Sequence, residues 1–142
     1  MKITTLLLFL FAACSLFAQD PVSNRMQIHQ DQTAVEANKL QVQELEGKKL
    51  RLVEAISDGD LKSAEIMREE VLQLMNLQVE EGAHWMEQTT QIPASVTATI
   101  ERMKAIQEKL TQMSFDSMGE DQAREAGNLV TEFEALMGRS PF

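Results

Sequence analysis

Oily side chains recur every three or four positions in four separate runs of this chain, and that rhythm constrains the fold more than any motif. A spacing of three and four follows the 3.6-residue turn of an α-helix and gives each helix one apolar stripe to hide. Val96, Ile100, Met103, Ile106, Leu110 and Met113 make the clearest stripe, and Ala123, Ala126, Val130, Phe133 and Met137 make another. A third runs through Val35, Val42, Leu45, Leu52 and Ile56, interrupted by Asn38 and Lys49. The fourth, Ala64, Met67, Val71, Leu74 and Trp85, is widened by Leu61, Leu72, Met75 and Val79. Beyond Gln19 the chain is rich in Ala, Leu, Glu, Gln, Met and Lys, all strong helix formers, and poor in Pro and Gly.

The breaks between stripes have local causes. Ser57-Asp58-Gly59-Asp60 joins a glycine that tolerates left-handed backbone to an aspartate suited to capping the next helix. Ser117 and Glu120 have capping-box spacing, Pro93 suits a first helical turn, and Gly138 followed by Pro141 reads as a stop. Helices are therefore expected near 23–57, 60–88, 94–114 and 118–137. Thr33-Ala34-Val35-Glu36 is also a capping box, and it offers a second starting point for the first helix. On that reading residues 19–32 form a polar N-terminal segment ahead of a bundle domain over 33–142.

A weak internal repeat groups the helices in pairs. A shift of 58 carries Val42, Leu45, Leu52, Ala55 and Asp58 onto Ile100, Met103, Leu110, Met113 and Asp116. A shift of 59 carries Ala64, Met67, Val71, Leu74 and Leu77 onto Ala123, Ala126, Val130, Phe133 and Leu136. Two hairpins with short turns predict an all-α, up-down-up-down four-helix bundle. The turn Gly59-Asp60-Leu61-Lys62-Ser63-Ala64 resembles the one inside a tetratricopeptide repeat, which implies an array of helical hairpins as the alternative fold. No 34-residue period accompanies that turn, and the first helix is too long for the unit.

Residues 1–18 read as a signal peptide: Lys2, an apolar run from Ile3 to Phe17, and a small-residue cleavage site at Leu16-Phe17-Ala18. The run is too short and wrongly flanked for a membrane span, so the processed chain is expected in the periplasm or outside the cell, with no membrane insertion. Phe11-Ala12-Ala13-Cys14 resembles a lipoprotein box, which implies the alternative of a lipid anchor on Cys14. Cys14 is the only cysteine, so cleavage after Ala18 removes every thiol, and with it disulfides, thiolate chemistry and Cys-ligated metals. The net charge is −9, and cleavage also removes the cation Lys2. Such a surface repels phosphate backbones and anionic headgroups, and no nucleic-acid partner is expected.

Candidate chemistry is sparse. His29 and His84 are the only histidines, and Met26 and Met86 lie close to them in sequence. Methionine and histidine beside Trp85 suit soft Cu(I), and the set resembles that of periplasmic copper carriers. Soluble b-type cytochromes, which hold haem between Met and His inside a four-helix bundle, are the second resemblance. Helical phase opposes both. Stepping back from Val42 and Val35 lands on Ile28, which leaves His29 off the seam, and His84 stands one residue from Trp85, the better core candidate. The expectation is therefore no cofactor, with copper or haem b on Met26, His29, His84 and Met86 as the alternative. The eight methionines after Gln19 fall mostly on the stripes, where the residue fills gaps.

Serine nucleophile elbows, phosphate-binding glycine loops, HExxH and the inward Glu-x-x-His pairs of di-iron bundles are missing, so no enzyme is expected. Glu80 precedes His84 by one turn, a spacing that suits a surface ion pair. Apolar residues beyond one stripe on the first two helices, Leu40, Leu50, Leu72, Met75 and Val79, imply a contact surface with Trp85. A protein partner or self-association would cover it. The expected function is that of a non-catalytic interaction or structural bundle, with chaperone-like holding of unfolded clients as a further alternative.

Overall fold

The computed structural model describes residues 21–142, with side chains from Gln32 onward. The leader expected over residues 1–18 lies outside the described residues. Four helices occur in succession, α1 (Pro21–Ser57), α2 (Leu61–Gln88), α3 (Ala94–Gln112) and α4 (Glu120–Met137), and the described residues contain no strand. The chain divides into two compact units, Met1–Glu36 and Ala37–Phe142. In the first, the described residues are turns of α1, which covers residues 21–32. The second unit holds the remainder of α1 with α2, α3 and α4, and it is a four-helix bundle.

Polar contacts fix the direction of each neighbour. Lys48 on α1 pairs with Glu70 on α2, Arg68 on α2 donates to the Met113 carbonyl at the end of α3, and Arg102 on α3 pairs with Glu132 on α4. Asn38 Nδ2 reaches the Met137 carbonyl at 3.3 Å, and Lys49 Nζ lies 2.8 Å from Glu134 Oε2. Partners run in opposite directions: from Asn38 to Lys49 along α1 the contact on α4 moves back from Met137 to Glu134, and Arg68 near the start of α2 meets Met113 at the end of α3. The order is therefore up-down-up-down, with α1 and α4 closing the ring. The connections are too short for any parallel return.

The core combines all four stripes. Leu45, Leu52 and Ile56 from α1, Ala64, Val71, Met75 and Val79 from α2, Met103, Ile106 and Leu110 from α3, and Ala126, Val130 and Phe133 from α4 form one buried cluster. Repeat-related positions take equivalent places: Leu45 and Met103, Leu52 and Leu110, and Val71 and Val130 are all fully buried. The polar interruptions of the α1 stripe also face inward. Asn38 satisfies a terminal carbonyl of α4, and Lys49 clasps Glu134 and Thr131.

The α1–α2 turn forms as its residues dictate. Gly59 adopts a left-handed φ of +73°, and the Gly59 and Asp60 amides donate to the Ile56 and Ala55 carbonyls. Asp60 Oδ1 then accepts from the Ser63 amide at 3.1 Å while Ser63 Oγ donates to Oδ2 at 2.6 Å. Those two bonds hold the Asp60 carboxyl below its ordinary pKa, the hydroxyl bond first.

Other edges depart from expectation. Pro93 caps α3 from outside its first turn, its carbonyl accepting from Val96 and Thr97. The Ser117–Glu120 capping box does not form, and Gly119 precedes α4 with no side-chain cap. The cause is tertiary: Phe115 is buried beneath the Arg68 guanidinium, 4.5 Å from its ring centroid, and holds residues 113–119 as a loop. Gly138 ends α4 in right-handed geometry, and the stop comes from amides of Arg139 and Ser140 folding back onto Leu136 and Met137.

Candidate functional site

An open groove of about 670 Å³ runs between α2 and α3. Glu69, Leu72, Gln73, Asn76 and Leu77 line it from α2, and Gln107, Glu108 and Thr111 from α3. Helical geometry explains this set. Val71, Met75, Gln78 and Gly82 mark the inward line of α2, so residues one position off it, such as Leu72, stand on the shoulder, and Leu77 turns outward. Leu72 is half-buried, whereas Leu77 is 54 % exposed. Two leucines thus meet a wall of amides, with carboxylates at Glu69 and Glu108 and no cation among the lining residues. Asn76 and Glu80 hydrogen-bond each other at 2.8 Å along the α2 rim.

A second exposed feature lies on α1. Leu40 and Leu50 are 67 % and 62 % exposed, the largest values among big apolar side chains of the described residues. They belong to the face of α1 turned away from Leu45, Leu52 and Ile56, and Gly47 lies between them in the same phase with open space at its Cβ direction.

The expected contact surface is therefore only partly available. Leu72 contributes to the groove, but Met75 and Val79 are core residues, facing the same interior as Val71. Several extra apolar positions blurred the helical phase of α2, and its true centre runs through Gln78 and Gly82, which carry no hydrophobic signal. Trp85 is half-buried against Phe142, ring centroids 6.3 Å apart and planes tilted by 47°. Phe142 also covers Gly82: a Cβ there would stand 2.8 Å from Phe142 Cζ, so only glycine allows the ring this seat. Gln78 Nε2 donates to the Phe142 carbonyl at 3.3 Å, fastening the same segment.

Of the four metal candidates, only His84 and Met86 have described side chains. His84 is exposed, its Nε2 2.9 Å from Gln88 Nε2, its Nδ1 3.7 Å from Glu87. Met86, two residues on, points about 200° around the helix from it and is half-buried. Met26 and His29 fall on α1 in the N-terminal unit, outside the residues whose side chains are described. No group of three His, Cys, Asp or Glu with metal-binding geometry occurs among the described residues. Nor is any described helix long and apolar enough to cross a membrane.

The groove residues Gln73, Asn76, Leu77, Gln107, Glu108 and Thr111 were not distinguishable as a site from sequence. A signal existed only for Leu77, whose phase matches Ile66 (47 % exposed) eleven residues earlier. No family model, curated protein or solved structure matches this chain.

Proposed function

We propose that this chain is an exported, non-catalytic helical bundle that works by holding a segment of another protein against its helix faces. The observation that carries the reading is the α2–α3 groove, where Leu72 and Leu77 stand among amide side chains able to donate and accept. Its carboxylates, Glu69 and Glu108, and the chain's net charge of −9 select an apolar segment flanked by lysine or arginine. Export rests on the leader-like run Lys2–Ala18. The absence of nucleophile and phosphate-loop motifs from the sequence supports a binding role over a catalytic one.

A photo-crosslinking amino acid at Gln73, in the native envelope, tests the reading. Adducts are expected at that position and not at Glu125 on the exposed side of α4, and Leu72→Glu with Leu77→Glu should abolish them. Equal labelling at both positions, or none, would refute it.

A further inference from the structure

We propose that the outer face of α1 pairs with the same face of a second copy of this chain, in parallel register. Leu40, Gln43, Gly47 and Leu50 recur at spacings of three, four and three, the positions that meet along the seam of a two-stranded coiled coil. This face points away from the bundle core. Leu40, Gln43, Gly47 and Leu50 are all exposed, and the two leucines are the most exposed large apolar residues described.

Charge decides the occupant and its direction. On either side of the seam stand Lys39 and Glu46, and Glu44 and Arg51, all exposed. None of the four has an ion-pair partner among the described residues, although Lys48 and Lys49 on the inward side do. In a parallel pair the residue just before Leu40 or Gly47 on one strand faces the one five positions later on the other strand. That rule sets Lys39 against Glu44 and Glu46 against Arg51 of the second copy, and symmetry forms each pair twice. An antiparallel pair that kept Leu40 against Leu50 would instead set each flank against itself, with Glu44 against Glu44 and Glu46 against Glu46 beside the two-fold axis. Parallel pairing therefore avoids the two like-charge contacts that antiparallel pairing places at the centre of the seam. Within one helix, residues five apart lie about 140° from each other, so these pairs cannot close inside a single copy.

Glycine at position 47 fits the same arrangement. Nothing lies within 4 Å of the Cβ it lacks, so its own fold does not require glycine there, while a facing helix gains a close approach. Glu54, the next seam position, would face its own copy and so ends the seam. Ten residues from Leu40 to Leu50 span about 15 Å, which makes the contact small and the dimer weak and concentration-dependent.

The proposal uses a face separate from the α2–α3 groove, so its failure leaves the Gln73 crosslinking result untouched. Sedimentation equilibrium of the full chain should show monomer converting to dimer with rising concentration. Lys39→Glu should weaken the dimer about fivefold, through loss of two exposed pairs, and Lys39→Glu with Glu44→Lys should restore it. In a Cys14→Ser background, Gln43→Cys should form a disulfide between copies. Circular dichroism confirms that each variant keeps its helix content. A strict monomer, a charge-swapped variant no better than Lys39→Glu, or cross-linking only when Gln43→Cys and Gly47→Cys are mixed would each overturn the proposal. So would a monomer whose α1 face captures a different envelope protein.

Discussion

The seat of Phe142 over Gly82 yields a prediction whose sign reverses with background. In an isolated helix, Gly82→Ala should stabilise by about 1 kcal/mol, because alanine loses less backbone entropy and is the best helix former. In this chain the new Cβ would stand 2.8 and 2.9 Å from Phe142 Cζ and Cε2, and 3.0 Å from Ile100 Cδ1. All three are tips of side chains, so the helix backbone can stay while the ring leaves. Its departure forfeits the Trp85 contact, worth about 1 kcal/mol, and re-exposes a half-buried ring, roughly another 1–2 kcal/mol. The loss exceeds the helix gain, and Gly82→Ala should destabilise by about 1 kcal/mol. Once Phe142→Ala has emptied the seat, only the flexible Ile100 tip opposes the Cβ. There Gly82→Ala should stabilise by roughly 0.5–1 kcal/mol.

Urea unfolding followed at 222 nm measures all four corners of the cycle, with a coupling of about 2 kcal/mol expected between the two positions. Trp85 is the only tryptophan, so its emission reports the ring independently: Gly82→Ala and Phe142→Ala should each shift it to the red. Equal stabilisation by Gly82→Ala in both backgrounds, with unchanged emission, would show that Phe142 does not occupy this seat and would refute the argument.

Three further outcomes follow from buried or capping polar groups. Gln78 is 1 % exposed, its Oε1 has no partner among the described residues, and its one bond is long, so Gln78→Leu should stabilise by up to about 1 kcal/mol; a loss of that size would contradict it. Lys49→Met strands Glu134 at a nearly dry contact and should lower urea-derived stability by about 2 kcal/mol, most of it returned by adding Glu134→Gln. Asp60 has a folded pKa below its ordinary 3.8, so its carboxylate supports folding above that pH and loses this effect as pH falls through the folded value. Asp60→Ala should therefore melt lower than the parent at neutral pH, with the gap closing in acid; a pH-independent gap would sink the capping role.

Helix number, order and most edges could be read from sequence because they depend on local rules that act within one turn. The α4 stripe shows this best, since Ala123, Ala126, Val130, Phe133 and Met137 are all buried as their spacing requires. Where reading failed, a distant residue decided. Ser117 and Glu120 satisfy a local capping rule, yet Arg68, 47 residues before Phe115, draws that ring into a contact that forbids the extra helical turn. Asn38 and Lys49 looked like defects in the α1 stripe because their partners, Met137 and Glu134, lie at the far end of the chain. On α2 the difficulty was an excess of apolar residues: with Leu61, Ile66, Leu72, Leu74 and Leu77 available, several phases compete, and burial of Gln78 and Gly82 resolves them against hydrophobicity. The same competition explains why the groove was illegible. A groove wall forms from whatever the core leaves outside, so it can be located only after packing has fixed the phase. Exposed leucines on α1 escape this problem, since Leu45, Leu52 and Ile56 fix the phase of that helix unambiguously and place Leu40 and Leu50 opposite. Leucines left opposite a well-defined core stripe are the observation from which a partner on α1 follows, and the unpaired charges beside them say which partner.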